Sequence, residues 1–186
     1  LWEFIPPVAL EGDFVDAKVG DVSGDGVPEL VVVMNLTRFG EDNTPHVFIA
    51  TYDWDGTHFS EIPSASLDIG KENKSLRCNN FQLLDQDADG EQEIVLSLGS
   101  PFRGFAIVNS SPTGLSIVKK IRPDQLLVGS GLLYVAALDY DYDGYDDVLA
   151  FSPDGNIVKA QPFYNIGGVF DSGHLVKKEV EGLSGI

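Results

Sequence analysis

The chain has 186 residues, with 29 acidic residues against 12 lysines and arginines, so its formal charge is −17. This excess of negative charge repels phosphate backbones and anionic lipid surfaces, and no apolar stretch approaches the ~20 residues of a membrane helix, so neither nucleic-acid binding nor membrane insertion is expected. Hydrophobic residues make up 43% of the sequence, enough for a packed core, and the single cysteine, Cys78, excludes an intrachain disulfide and a multi-cysteine zinc site.

The first repeating unit, residues 14–66, reads as four short strands. An alternating apolar segment precedes an acidic loop, and a continuous apolar run suited to a buried strand follows it. Residues 47–52 then lead through Asp55-Gly56 into residues 58–62, because Asp-Gly between apolar runs is a strong hairpin signal. Residues 1–13 are predicted to include the outer strand of a preceding unit.

The second and third units, residues 76–124 and 130–180, repeat this order. In each, an alternating segment (residues 78–84 and 132–138) precedes the acidic loop, and an apolar run follows it. No segment shows a sustained 3.6-residue apolar period, so we predict an all-β fold with little helix. The whole chain, residues 1–186, is read as one domain of three four-stranded antiparallel repeats.

The three acidic loops align at intervals of 64 and 54 residues. Counted from the first aspartate of each loop, oxygen-bearing side chains occupy positions 1, 3, 5 and 9, and Gly occupies position 6. These side chains are Asp21, Ser23, Asp25 and Glu29 in loop 1; Asp85, Asp87, Asp89 and Glu93 in loop 2; and Asp139, Asp141, Asp143 and Asp147 in loop 3. Position 7, which is Val27, Glu91 or Tyr145, is expected to offer its backbone carbonyl.

This pattern predicts calcium sites. Carboxylates that converge on one point repel each other unless a cation lies between them, and hard oxygen ligands in a flexible loop suit Ca²⁺, which takes about 6–8 oxygens at roughly 2.3–2.6 Å. We therefore expect about three Ca²⁺ ions, one in each loop. Loop 1 should bind most weakly because Ser23 is a neutral ligand.

An EF-hand is the competing interpretation of such loops. It requires a bidentate Glu at position 12 between two helices. Position 12 is Val32, Leu96 or Ala150 here, each within a strand-like run. The loops are therefore predicted to be embedded in β-hairpins.

The motif Asp-x-(Asp/Asn/Ser)-x-Asp-Gly-x-x-(Asp/Glu), followed by an apolar strand and repeated across residues 14–178, resembles the FG-GAP/VCBS repeats of integrin-α-like β-propellers. The resemblance implies that each repeat is a four-stranded blade whose calcium loop joins the first two strands. Propellers close with about 4–8 blades, and three are present. A longer propeller, a ring completed by another chain and an open array all remain; we favour a fragment or a subunit that assembles with neighbours.

The histidines and the cysteine do not predict catalysis. His46, His58 and His174 match no metal or triad spacing, and Cys78 is expected to be a small buried hydrophobe. The expected function is an extracellular, calcium-binding propeller module with a structural, adhesive or protein-interaction role. The alternative is a carbohydrate-binding or polysaccharide-processing propeller.

Two further features bear on partners and location. Tyr140, Tyr142 and Tyr145 occupy non-ligand side-chain positions of loop 3, where they are expected either to contact a glycan or a protein partner or to pack against the neighbouring blade. Sequons begin at Asn35, Asn73 and Asn109, in segments read as loops, which suggests a glycoprotein. Calcium sites of this kind suit the millimolar calcium outside cells.

Overall fold

The computed structural model describes residues 10–39, 45–70, 76–125, 127, 132–154, 157–173 and 176–179. The predicted outer strand in residues 1–13 falls largely outside the described residues, and so do Asn73 and His174.

Sheet 1 contains four antiparallel strands in chain order. They are β1 (Leu10–Gly20), β2 (Glu29–Phe39), β3 (His46–Tyr52) and β4 (Ala65–Ile69). The apolar run after loop 1 forms β2, with both faces of the strand at least partly buried.

The fourth strand of sheet 1 lies later in the chain than the sequence indicates. Residues 58–62 were expected to form it, but they contribute only an isolated bridge between Trp54 and Phe59, and Ile62 is 74% exposed. The edge strand is instead β4, which pairs with β3 and turns Leu67 and Ile69 toward the core. The predicted strand at 58–62 is therefore wrong, because the Trp54–Phe59 bridge makes this segment a small side hairpin.

Sheet 2 repeats the four-stranded meander. Its strands are β5 (Cys78–Leu84), β6 (Glu93–Leu98), β7 (Gly104–Asn109) and β8 (Ser116–Ile121). Every residue of β6 is buried, as expected for a continuous apolar run covered on both faces.

Sheet 3 adds a variation at its outer edge. Its strands are β9 (Tyr134–Leu138), β10 (Asp147–Asp154), β11 (Ile157–Asn165), β12 (Phe170–Ser172) and β13 (Val176–Glu179). Strands β12 and β13 pair with opposite halves of β11, so together they fill the fourth strand position.

The predicted all-β fold with three antiparallel sheets is confirmed. None of the described residues is helical, and among them no helix is long and apolar enough to cross a membrane. The sheets are not closed into a propeller.

The sheets stack in chain order with a hydrophobic core between each neighbouring pair, and a third cluster, which includes Leu36 and Tyr52, lies on the outer face of sheet 1. One core joins sheets 1 and 2 through residues such as Val31, Ile49, Phe81 and Leu96. The second joins sheets 2 and 3 through residues that include Phe105, whose ring meets that of Phe163 edge-on at 5.0 Å. Sheet 2 is thus covered on both faces.

Asparagine side chains connect the sheets where backbone ladders cannot. The Asn35 amide donates to the carbonyl of Cys78 (2.7 Å) and accepts from the N–H of Cys78 (2.7 Å). Asn80 does the same with Val135, at 2.7 and 3.0 Å. Each asparagine therefore imitates a strand partner across two sheets.

This pairing changes the interpretation of the first sequon. Asn35 lies within β2 and not in a loop, and both functions of its amide are engaged by Cys78. The Asn35 nitrogen lies against Cys78, so a glycan attached to it would crowd the contact between sheets 1 and 2. Asn109 lies at the end of β7 and is partly exposed.

Candidate metal centres

Each acidic loop joins the first two strands of its sheet. Residues 21–28 connect β1 to β2, residues 85–92 connect β5 to β6, and residues 139–146 connect β9 to β10. Position 12 lies inside β2, β6 or β10, so strands flank these loops where an EF-hand has helices.

The three loops share one backbone conformation. Position 4 has positive φ in every copy, at Gly24 (73°), Ala88 (60°) and Tyr142 (63°), and so does the glycine at position 6. Left-handed backbone is unfavourable for residues with a Cβ. Its recurrence at Ala88 and Tyr142 therefore means that the surrounding contacts dictate the loop shape.

The glycine at position 6 anchors the aspartate at position 1. Its N–H donates to that carboxylate in all three loops: Gly26 to Asp21 at 2.8 Å, Gly90 to Asp85 at 3.0 Å, and Gly144 to Asp139 at 3.2 Å. The first aspartate is thereby held at the centre of the turn. Each carboxylate oxygen has more than one lone pair, so oxygens that accept an N–H can still bind a cation.

Two further hydrogen bonds recur. The N–H of position 7 donates to the aspartate at position 5: Val27 to Asp25 at 2.8 Å, Glu91 to Asp89 at 2.8 Å, and Tyr145 to Asp143 at 2.9 Å. The N–H of position 2 donates to the acid at position 9: Val22 to Glu29 at 2.8 Å, Gln86 to Glu93 at 2.7 Å, and Tyr140 to Asp147 at 2.8 Å. Together with the hydrogen bond from position 6, these bonds orient the carboxylates at positions 1, 5 and 9.

Three acidic side chains converge in each loop. The groups are Asp21, Asp25 and Glu29; Asp85, Asp87 and Asp89; and Asp139, Asp141 and Asp147. Within each group, one oxygen per residue lies within 4.8 Å of the others. Two oxygens on opposite sides of a Ca²⁺ ion are separated by about 4.6–5.2 Å, so this spacing fits one coordination sphere.

The remaining predicted ligands lie beside these groups. The hydroxyl of Ser23 donates to Glu29 at 2.9 Å, which places it next to the first group. Glu93 and Asp143 are not members of the second and third groups. Asp143 instead orders loop 3, since its N–H donates to Asp139 and its carboxylate accepts from Tyr145.

The acids at position 9 are the buried members of the sites. Glu29, Glu93 and Asp147 are each almost inaccessible to solvent. Burial, as the largest cause, raises the pKa of Glu29, and it raises the pKa of Glu93 to about 7, with Asp87 and Asp89 adding repulsion. A buried carboxylate is costly without compensation, so a cation in the loop would favour its ionised form.

Adjacent acidic loops contact each other, which was not predicted from the sequence. The N–H of Gln92, at position 8 of loop 2, donates to the carbonyl of Asp21 at 2.7 Å. Asp146, at position 8 of loop 3, accepts a hydrogen bond from the backbone of Asp85, while burial and then repulsion from Asp139 and Asp85 raise its pKa. Position 8 of each later loop therefore contacts position 1 of the loop before it.

Glu91 is a second link between loops. A carboxylate oxygen of Glu91 lies 3.1 Å from the point where a Cβ on Gly24 would stand. Its pKa is raised, first by burial and then by repulsion from Asp89 and Asp21. The first two clusters therefore influence each other electrostatically.

The raised carboxylate pKa values predict an unusual pH dependence for the metal-free protein. A carboxyl whose pKa is higher in the folded state than in the unfolded state contributes stability below its unfolded pKa, and that contribution is lost as the pH rises through the folded value. For Glu93 this window runs from about 4.5 to about 7. We expect the metal-free protein to melt at a higher temperature at pH 5 than at pH 8.

Calorimetric melts of the wild type and of Glu93→Gln in chelator, at a series of pH values, measure this effect. The substitution should flatten the dependence, because it removes the ionisation while keeping an oxygen for Gln86. Glu61→Gln, at an exposed turn position, is the control and should retain the wild-type slope. Equal slopes for Glu93→Gln and the wild type would contradict the expectation.

The tyrosines of loop 3 differ in their exposure. Tyr142 is 90% exposed and Tyr140 is 49% exposed, while Tyr145 is partly buried. The Tyr140 ring lies 5.9 Å from that of Tyr164. Tyr140 therefore packs on its own sheet, and Tyr142 projects into solvent.

The remaining candidates for chemistry have structural surroundings. His46 is buried and pairs with Asp68 at 2.7 Å, and the exposed His58 lies 3.1 Å from Asp55. Cys78 is buried as predicted, and burial raises its thiol pKa to about 12. A thiol in this state is a poor nucleophile.

Comparison with known protein families finds no matching family model, and a search of curated proteins finds no relative.

Proposed function

We propose that this chain is a calcium-stiffened, propeller-type repeat module, exported from the cell, with a structural or protein-interaction role. The observation that carries the proposal is the threefold recurrence of an acidic cluster in one loop conformation at one place in each sheet. A single acidic turn would be unremarkable. Three copies built with the same hydrogen bonds favour a common ligand.

Calcium is the ion that best suits this chemistry. The ligand atoms are carboxylate oxygens in loops that are largely exposed at positions 3–6 and supported by rigid strands. In such a module the ions would neutralise converging acids and link each hairpin to the loop beside it. The partners in this proposal are other protein chains or further propeller blades.

The test is to disable one proposed calcium site at a time by replacing a single ligand. Asp141→Ala should reduce the calcium stoichiometry by one ion while two remain, because Asp141 belongs only to the third group. Isothermal titration calorimetry measures the count. Asp55→Ala is the control, since Asp55 lies in an exposed turn outside the three groups and should leave the stoichiometry unchanged. Loss of all binding, or no change, in Asp141→Ala would contradict independent sites.

A glycan-binding role is the second candidate, favoured by one observation. Tyr142 is exposed on loop 3, and the β11–β12 turn, which carries the exposed Ile166 and Val169, contacts loop 3 through Asn165 and loop 2 through Gly168. Exposed aromatic rings are suitable surfaces for sugar stacking. A glycan array with the wild type and Tyr142→Ser distinguishes the two roles: wild-type binding that the variant loses would support this candidate.

A further inference from the structure

The two sheet-to-sheet contacts in this chain obey one rule in their first strands. The last residue before each acidic loop faces the following sheet, and the residue before that faces the preceding sheet. At the contact of sheets 1 and 2, Leu83 reaches Gly20, with a methyl carbon 2.7 Å from the point where a Cβ on Gly20 would stand. At the contact of sheets 2 and 3, Leu84 is buried in the same cluster against which Ala137 packs.

The second strands follow the same rule. Residues at positions 10 and 12, such as Ile94 and Leu96 in sheet 2, face the preceding sheet. Residues at position 11, such as Val31 in sheet 1 and Val95 in sheet 2, face the following sheet. The rule therefore states which residues a sheet beyond either end of the stack would cover.

At the sheet 3 end, the residues that should face a following sheet are apolar and accessible. Leu138 is 38% exposed, whereas its counterpart Leu84 in sheet 2 is fully buried. Leu132 is also exposed, and the stacked rings of Tyr134 and Phe151 continue the same face of the sheet. Asp147, the cross-strand partner of Leu138, also lies on this face and belongs to the third acidic group, and the other described positions of β9 and β10 on this face carry no charge.

At the sheet 1 end, the residues that should face a preceding sheet are also apolar and accessible. Val19 is 56% exposed and Phe14 is 63% exposed, and their cross-strand neighbours are Leu30 and Met34. On the same face, Leu36 of β2 and the β3 residues Phe48, Ala50 and Tyr52 are buried, and Leu30 and Met34 are partly buried, so the accessible area lies on β1. The first strands also lie beside one another in the stack, β5 next to β1 and β9 next to β5.

The first strands at the two ends of the stack thus carry accessible apolar residues at the positions that form the internal contacts. From this we infer that a second copy of the chain docks with its sheet 1 on the free face of sheet 3. Two copies joined in both directions would form a closed pair that contains six of the described sheets, within the range of about 4–8 at which such rings close. This inference rests on the proposed propeller-type assembly and not on the identity of the bound ion.

Light scattering coupled to size exclusion, in calcium, tests the inference. The wild type should have twice the 20.1 kDa mass of one chain. Val19→Lys should dissociate it, raising the dissociation constant at least ~100-fold, because an unpaired charge would be buried in both contacts. Val118→Lys is the matched control: Val118 is 55% exposed, but it lies on the outer strand β8 of sheet 2, so the mass should remain that of the pair.

A mixing experiment tests whether sheet 1 of one copy meets sheet 3 of the other. Val19→Asp and Leu138→Lys should each be monomeric alone. Mixed together they should form a pair, since one contact would then be unaltered and the other would hold opposite charges. A monomeric wild type, open-ended growth with concentration, or no pairing in the mixture would overturn the inference. Calcium-dependent melting of the same samples separates this failure from failure of the proposed calcium sites.

Discussion

Removing calcium is expected to lower the thermal unfolding midpoint of this chain by at least ~10 °C. An ion that binds only the folded loops stabilises by about 2.7 kcal/mol per site when its concentration is one hundred times Kd. Summed over three sites, this binding free energy corresponds to a large shift in Tm for a chain of this size. Without the ions, each loop retains three carboxylates whose oxygens lie within 4.8 Å of one another.

Scanning calorimetry in calcium and in EGTA measures this shift. EGTA already saturated with calcium is the control for effects of the chelator itself, and magnesium should restore little, since it demands a smaller and more regular site. A melting temperature that is the same in EGTA and in excess calcium would mean that no ion supports the fold.

Replacing Asn80 with alanine is expected to destabilise the protein by about 2–4 kcal/mol. The substitution removes two hydrogen bonds between sheets 2 and 3: the N–H of Val135, a residue that is 1% exposed, loses its partner, and the Val135 carbonyl keeps only the longer hydrogen bond from Gln82 at 3.3 Å. A stranded buried polar group costs about 1–3 kcal/mol. Denaturant unfolding with calcium held constant measures the loss.

The neighbouring Asn79 offers a matched control. Among the described residues its amide makes one hydrogen bond, to the carbonyl of Leu133 at 2.8 Å, so Asn79→Ala should cost about 1 kcal/mol. Equal effects of the two substitutions would show that the bidentate pairing of Asn80 has no special weight in joining the sheets.

The loops and their flanking strands were predictable because their signals are local. Residues 78–84 were predicted as a strand and form β5, since alternation within one segment reports its own burial. The loop residues Asp21, Asp85 and Asp139 were likewise identified from spacing alone, and the structure places each within a group of acids.

Contacts between units were not predictable in the same way. Asn35 and Asn80 look like ordinary polar residues of strands, and their partners lie 43 and 55 residues away. Glu91 was predicted only to offer its backbone carbonyl as a calcium ligand, although its side chain lies against Gly24 of the preceding loop. Such contacts depend on how the sheets stack, which no short segment encodes.

The edge strands were predictable only in part. Residues 58–62 carry an apolar pattern but form a side hairpin, and the pairing of β12 and β13 with opposite halves of β11 leaves little local pattern in either short strand. Edge strands are covered on fewer sides than central ones, so their sequences are less constrained.

The metal content of native protein tests the central claim most directly. Protein is purified without chelator and dialysed against buffer containing millimolar calcium. Its metal content is then measured by elemental mass spectrometry, alongside a measurement of the protein concentration. We predict three calcium ions per chain, falling to two in Asp141→Ala. A chain that holds no calcium yet keeps its β-structure would contradict the assignment of the acidic loops as metal centres.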